Sequence, residues 1–150
     1  MIQTSIAAPS PVRPQSEVQE PALLDPLLRL AGHVANTHAL IVADHGLDLM
    51  CGLIRRGCLA ATILRIGDKP ASGEADLVII PQAACLPSAD ELIQLVRRSL
   101  VPRGRLIVGV RDSEEAAALA RRLRLNGFAA LRSTHLAGLT LLRADLRSIS

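Results

Sequence analysis

The sequence predicts an α/β domain in which helices cover a mostly parallel sheet of about six strands that ends in an antiparallel pair. Apolar, β-branched runs alternate with segments whose apolar residues recur at helical spacing, the order expected of strands joined by crossover helices. The last two predicted strands have no helical segment between them and should pair antiparallel. The 150 residues suffice for one domain, expected over 21–150, after a flexible tail over 1–20 rich in Pro, Ser and Gln.

The first half of the domain begins with a helix. A wide apolar stripe predicts that helix over 21–35. The continuous apolar run at 39–43 is typical of a central parallel strand. A short amphipathic segment over 47–56, closed by Gly57, predicts the next helix, and β-branched residues over 60–66 predict a second strand.

The second half starts after a loop predicted over 67–75 from its Gly, Pro and Ser content. A third strand is expected over 76–81. Ser88 with Glu91 three residues later matches a capping box and opens a helix that runs to about residue 100.

The remaining elements follow a predicted turn at 102–104. A fourth strand covers 105–110, and either Asp112 or Ser113 caps a helix that ends near Asn126 and Gly127. The antiparallel pair is expected over 128–133 and 139–143.

Composition narrows the range of partners. One Phe and no Tyr or Trp leave no aromatic platform for stacking bases. The net charge of +3 does not demand nucleic acid, and the arginine pairs on predicted helices are typical of solvated faces, with a phosphate-binding surface as the alternative. No stretch is long and apolar enough to span a membrane, and the first twenty residues do not resemble a signal peptide.

The three cysteines indicate a reducing, cytoplasmic environment. Their odd number and spacing favour neither a disulfide framework nor a zinc site. Cys51 and Cys58, seven residues apart around one helical segment, are expected to be small core residues.

Several segments of the second half together resemble one family. They are the strand at 75–81, the helix at 89–100, the Leu-Val-Pro-Arg-Gly segment at 100–104, the strand at 105–110, and the final helix and strand pair with Leu-Asn-Gly-Phe at 125–128. In this order they resemble class I S-adenosylmethionine-dependent methyltransferases, over roughly 21–146. The resemblance implies a three-layer Rossmann-like sandwich, of the type found in bacterial proteins.

The same resemblance points to a cofactor loop after the first strand. Asp44 and Gly46 match the acidic residue and first glycine of the family's loop, whereas Asp48 and Met50 stand where further glycines are usual. Arg65 stands at the end of the second strand, where the family has an acid for the ribose hydroxyls.

Base-methylating members of the family carry a proline pair and an aromatic residue after the fourth strand. This chain has Pro81 at that place, but neither a second proline nor an aromatic residue follows it. The residues that would contact a cofactor are Asp44, His45, Gly46, Asp48, Arg65 and Pro81, and no catalytic residue is assigned.

This chain departs from the family a second time in the connection between the second and fourth strands. The family has a helix, a strand and a helix there, whereas this chain has only residues 67–75. Nine extended residues span ~30 Å, enough for a diagonal of ~20 Å across two strand spacings. The sheet should then lack the third strand and leave the second-strand edge exposed. We expect a second copy, as in a homodimer, or another protein to cover that edge.

Three functions remain open. The first is a degenerate, non-catalytic methyltransferase-like domain that acts in protein interaction or assembly, with no cofactor expected. The second is a divergent methyltransferase that binds S-adenosylmethionine at the 44–46 loop, and the third an arginine-mediated nucleic-acid-binding module. Asp44, His45 and Asp48 could also hold a proton or a metal, but a turn histidine is the better interpretation and no metal is assigned.

Overall fold

The computed structural model describes residues 24–65, 74–136 and 138–147. Helix α1 is described over 24–31. The elements that follow are β1 His38–Val42, α2 Leu47–Arg55, β2 Ala60–Leu64, β3 Ala75–Ile80, a 3-10 turn Ala83–Cys85, α3 Ala89–Ser99, β4 Leu100–Val110, α4 Ser113–Leu125, β5 Phe128–Leu136 and β6 Leu139–Leu146. The predicted loop over 67–75 and the N-terminal tail lie almost wholly outside the described residues.

The six strands form one sheet in the order β2-β1-β3-β4-β6-β5. Strands β2, β1, β3 and β4 run parallel, whereas β6 pairs antiparallel with both β4 and β5. The predicted fold class is confirmed, including the antiparallel end of the sheet. Within the described residues β2 is an edge strand, as expected of a chain without the family's third strand.

Two apolar cores fill the space between the sheet and its helices. Successive residues of β3 alternate between them: Leu77 and Ile79 pack on one side, Val78 and Ile80 on the other. The first core also holds residues of α1 and α2, and the second holds residues of α3 and α4. The molecule therefore has the predicted three layers, and β3 is buried on both faces.

The helix ends in the second half use the side chains that the sequence indicated. Ser88 Oγ accepts a hydrogen bond from the Glu91 backbone N–H at 3.2 Å, which caps α3. Asp112, and not Ser113, caps α4, because its Oδ1 accepts from the Glu114 N–H at 2.8 Å. Each cap satisfies one backbone donor that would otherwise lack a partner.

Helix α1 is shorter than predicted, since it ends at residue 31 and not at 35. Gly32 has a φ of +72°, a left-handed conformation that stops the helix. Two arginines from the sheet hold this end: Arg143 donates to the Leu30 carbonyl at 3.1 Å, and Arg105 donates to the Ala31 carbonyl. Tertiary contacts, which the apolar stripe does not report, thus set the boundary.

The residues predicted as a turn, 102–104, leave the ladder between β3 and β4, since Ala75 pairs with Leu100 and Leu77 pairs with Arg105. Arg103 has a φ of +70°, and Gly104 lies close to the Val101 carbonyl. The difference from the prediction is that β4 resumes on both sides of this irregularity and begins at Leu100, not at residue 105. The last two strands also extend further than predicted.

Candidate functional site

The order of the strands places a topological switch point between the carboxyl ends of β1 and β3, and we call this position the β1–β3 crevice. From β1 the chain passes through α2 to β2 on one side, and β3 pairs with β1 on the other side. In open α/β sheets, ligands bind at such a switch point, beyond the carboxyl ends of the strands. The loop with Asp44, His45 and Gly46 follows β1, and Pro81 follows β3, so both border this crevice.

The structure explains the glycine at position 46 by packing, whereas the sequence suggested a ligand-binding loop. It is buried at the N-cap of α2 with a φ of −126°, which any residue adopts. A β-carbon there would lie 2.9 Å from Ile41 Cγ2 and 3.5 Å from Ile63 Cγ1. The glycine is therefore required for packing of the helix start on β1 and β2, whether or not a ligand approaches the loop.

The three polar side chains around this loop are open to solvent. Asp44, His45 and Asp48 are all exposed, and Asp48 lies in the first turn of α2. In the part of the chain that the structure describes, no group of three or more His, Cys, Asp and Glu side chains is placed to hold a metal ion. Met50, in contrast, is partly buried against the core shared by α1 and α2.

Arg65 and Pro81 end the two strands that flank β1. Arg65 is exposed directly after β2, and its guanidinium offers only hydrogen-bond donors. A ribose diol is usually held by a carboxylate that accepts from its hydroxyls, which Arg65 cannot do. Pro81 is partly buried, and its carbonyl lies so close to Gly109 of β4 that no side chain fits at that position.

Cys85 is a member of the crevice that the sequence did not indicate. It ends the 3-10 turn after β3 and is partly buried. Burial raises the pKa of the Cys85 thiol, and the negative charge of Asp44 raises it further. The loops after β1 and β3 leave neighbouring parallel strands at the same edge of the sheet, although 41 positions separate these residues and no local pattern links them.

A second feature lies at the β2 edge, where apolar side chains are exposed. Leu47, Cys51 and Ile54 recur at helical spacing on the outer face of α2, and Leu59 precedes β2. Leu47 is 65%, Ile54 47% and Leu59 62% exposed, and these are three of the four large apolar side chains exposed in the described residues. We call these four residues the edge patch.

The expectation that Cys51 and Cys58 both lie in the core is right for Cys58 and wrong for Cys51. Cys58 is buried, and its thiol contacts the carbonyls of Thr37 and Ala60 at 3.1 Å. Helix α2 ends at Arg55, and Gly57 with a φ of +96° redirects the chain before Cys58. The two cysteines therefore do not share a helix face.

The arginines on the helices are solvated, as predicted. Arg55, Arg97 and Arg121 are exposed, and the exposed Arg122 of α4 forms an ion pair with Asp90 of α3. A groove of about 180 Å³ lies between α4 and the β5–β6 pair, with Arg124, Arg132 and His135 among its lining residues. It is open and separate from the β1–β3 crevice. In the described residues, no helix is long and apolar enough to cross a membrane.

The fold is that of class I S-adenosylmethionine-dependent methyltransferases, as comparison with solved structures shows. The chain is similar to magnesium protoporphyrin IX methyltransferase from Synechocystis, which was solved with S-adenosylmethionine bound (TM-score 0.68, 16% identity, 91% of this chain and 84% of that chain). It is also similar to an S-adenosylmethionine-dependent methyltransferase from Mesorhizobium loti (TM-score 0.67, 11% identity, 80% of this chain and 96% of that one).

A third similar structure is a methyltransferase from Aquifex aeolicus (TM-score 0.65, 10% identity, 81% of this chain and 88% of that one). No protein-family model matches the sequence, and no curated protein matches it. At these identities the likeness defines the fold alone, and the function has to be argued from the side chains.

Proposed function

We propose that this protein is a non-catalytic methyltransferase-like domain that acts in protein assembly. The observation that carries the proposal is the edge patch of Leu47, Cys51, Ile54 and Leu59. Exposed apolar side chains beside an open sheet edge are a liability for an isolated domain and are typical of an interaction surface. The patch lies where the family's additional strand and helices would continue the sheet beyond β2.

The side chains of the crevice support the same proposal. S-adenosylmethionine carries a carboxylate, and the exposed carboxylate of Asp48 in the first turn of α2 would repel it. Arg65 offers donors where the ribose requires an acceptor. The residues present therefore do not fit the cofactor in the manner of the family, and no reaction step is assigned to them.

A second candidate is a divergent enzyme that still binds S-adenosylmethionine in the β1–β3 crevice. The observation that favours it is that the switch point of the strand order is retained, with Asp44 exposed in the loop beside it. The similar Synechocystis enzyme holds this cofactor in a structure of the same fold. An amino group or a sulfonium could contact the Asp44 carboxylate even though the loop has lost glycines.

Calorimetric titration with S-adenosylmethionine and with S-adenosylhomocysteine separates the two candidates. We expect no saturable heat up to about 1 mM of either compound, a limit that corresponds to about −4 kcal/mol. Submillimolar binding that Asp44→Asn weakens and Glu115→Gln on α4 leaves unchanged would overturn the non-catalytic proposal. Substitution of Gly46 is unsuitable as a test of binding, because any side chain there would collide with Ile41.

A further inference from the structure

The topology of the sheet brings the C-terminal turns of three helices to one end of the molecule. Helix α2 connects β1 to β2, α3 connects β3 to β4, and α4 connects β4 to β5. In each case the two connected strands run in the same direction. Each helix therefore returns the chain from the carboxyl ends of the strands to their amino ends. The last turns of all three helices lie at the amino ends, opposite the β1–β3 crevice.

The last turn of each of these helices is basic. The residues are Arg55 in α2, Arg97 and Arg98 in α3, and Arg122 and Arg124 in α4. The first turns of α2 and α4, in contrast, are acidic. A cation near a helix C-terminus complements the helix dipole, so each helix by itself requires no ligand. Because the helices share one direction, however, their positive charges accumulate at one end of the domain.

Two further arginines at the same end belong to no helix. Arg103 lies in the irregularity at the start of β4, and Arg147 directly follows β6, whose last residues pair with that part of β4. The Arg147 N–H donates to the Gly127 carbonyl at 2.8 Å, which places Arg147 beside the end of α4. Helix dipoles do not account for these two charges.

Five of these arginines are exposed and form no ion pair in the part of the chain that the structure describes. We call them the basic end: Arg97, Arg98, Arg103, Arg124 and Arg147. Two acids that approach this surface already contact other arginines, since Asp90 pairs with Arg122 and Asp145 lies 3.9 Å from Arg105. The acids that begin β3, at 74 and 76, limit the surface on that side.

The backbone at Arg103 points to a role for its side chain outside folding. Its φ of +70° lies in the left-handed region, where glycine is unstrained and a residue with a β-carbon is not. Folding alone would favour glycine at this position. Contact of the guanidinium with a ligand explains why a long charged side chain stands there instead.

The chemistry of the basic end fits the phosphates of a double helix. Guanidinium groups bind phosphate oxygens through pairs of parallel hydrogen bonds. Strands β4, β6 and β5 together are ~10 Å wide, and a duplex carries about six phosphates over that length. The chain's one aromatic residue, Phe128, is fully buried, so unpaired bases have no aromatic side chain on which to stack. A duplex, which presents phosphates and keeps its bases stacked, is therefore the better match.

A membrane surface fits this end of the molecule less well. Binding to lipid requires apolar side chains that insert beside the headgroups. Of the large apolar side chains that are exposed in the described residues, Leu125 alone lies next to the basic end. One leucine does not form an apolar face.

We propose that the basic end binds the phosphate backbone of a nucleic-acid duplex without reading its sequence. The surface is separate from the edge patch and from the β1–β3 crevice, so this activity goes beyond the proposed assembly function and does not depend on it. The duplex docks at the end opposite the crevice, where the exposed carboxylates of Asp44 and Asp48 would repel phosphates.

Fluorescence anisotropy with the full-length chain provides the first test. The probe is a labelled duplex of about 20 base pairs, prepared once as DNA and once as RNA. We expect a dissociation constant of about 1–10 µM at about 50 mM salt, and a slope of log K against log salt of about −4. Arg97→Gln with Arg98→Gln should weaken binding about tenfold and make the slope shallower by about two.

Two single substitutions at opposite ends of β4 separate binding from folding. Arg103→Gly should weaken binding about threefold and reduce the slope by about one. The same variant should unfold at an equal or higher urea concentration, because glycine suits the left-handed conformation. Arg111→Gln is the matched control, since it also removes one exposed arginine but directly follows the carboxyl end of β4. It should leave affinity and slope unchanged.

The inference is overturned if the wild-type chain at about 100 µM binds neither duplex at about 50 mM salt. Equal losses in Arg103→Gly and Arg111→Gln would also overturn it, because binding would then follow total charge and not the basic end. Binding to anionic phospholipid vesicles without binding to a duplex would identify a membrane surface instead. Failure of the proposed assembly function gives a different result, submillimolar binding of S-adenosylmethionine, which leaves the duplex measurements untouched.

Discussion

Gly46 matches a ligand-binding loop in the sequence, but in the structure it is needed for packing of a helix on the sheet. In a nucleotide-binding loop, a glycine permits close approach of the backbone to a ligand. Here the missing side chain makes room for Ile41 of β1 and Ile63 of β2. Folding alone therefore explains Gly46, and its presence is not evidence that a ligand binds.

A comparison of two buried glycines tests this explanation. Gly46→Ala should lower the free energy of unfolding by about 1–3 kcal/mol, because the new methyl group collides with Ile41, whose branched side chain cannot rotate away. Gly52→Ala is the matched control: its β-carbon would also lie 2.9 Å from a neighbour, but that atom is the flexible end of Leu28.

At Gly52, in the middle of α2, alanine also gains about 1 kcal/mol of helix propensity. We therefore expect the Gly52→Ala variant to stay within about 1 kcal/mol of the wild type, as measured by urea unfolding. Equal losses at both glycines would contradict the role assigned to Ile41.

Among the elements, the loops after β1 and β3 define the crevice, and the environment of Cys85 reports their proximity. Burial is the larger cause of the raised thiol pKa, and Asp44 is the smaller one. A raised pKa means that less of the thiol is ionised at a given pH, so its reaction with alkylating reagents is slowed. The reactivity of Cys85 is therefore expected to respond to the charge of Asp44.

Removing the charge of Asp44 should accelerate alkylation of Cys85. In a chain with Cys51→Ser, Asp44→Asn lowers the pKa of Cys85, so the rate of reaction with iodoacetamide between pH 8 and 9 should rise. It should stay below that of a free cysteine because burial remains. Asp48→Asn, which changes an exposed acid of α2, should leave the rate unchanged. An unchanged rate in Asp44→Asn would contradict the influence of the Asp44 charge on the Cys85 thiol.

The elements of the second half could be predicted well because their signals are local. Ser88 and Asp112 cap helices that begin where the capping rules indicate, and Gly127 ends α4 with a φ of +92°. Gly32 at the end of α1 and Pro102 before Arg103 are local signals too, whereas the contacts of Arg105 and Arg143 with α1 required the structure. The exposure of Cys51 was missed because its spacing to Cys58 suggested a shared face, whereas Cys58 lies beyond the end of α2 and Cys51 lies on its outer face.

For the candidate site, the sequence predicted which residues follow the strands but not which side chains surround them. Asp44, Gly46, Arg65 and Pro81 do follow the strands that border the crevice or its edge. Their side-chain environments required the structure, since Gly46 faces Ile41 and Cys85 approaches Asp44 across the chain.

For the whole molecule, the proposed assembly function predicts that the edge patch contributes little to the folding of the isolated chain. Ile54 is 47% exposed, so Ile54→Lys should change the free energy of unfolding by less than about 0.5 kcal/mol. Leu53→Ala on the same helix is the matched control, because Leu53 is fully buried and its truncation should cost about 2–5 kcal/mol. Urea unfolding of the two variants provides the measurement. A large loss of stability in Ile54→Lys would contradict the assignment of this side chain to an interaction surface.

The unequal edges of the sheet also limit how far association can proceed. A sheet with two unprotected edges can add copies at both ends and grow into a filament. Here β5 carries Arg132 and His135, and its pairing with β6 is interrupted near Ala130, which has a φ of +56°, so a partner strand can add only at β2. Growth would stop after a single joining event. An unprotected edge, usually a hazard, is tolerable in this chain because the irregularity near Ala130 makes the other end inert.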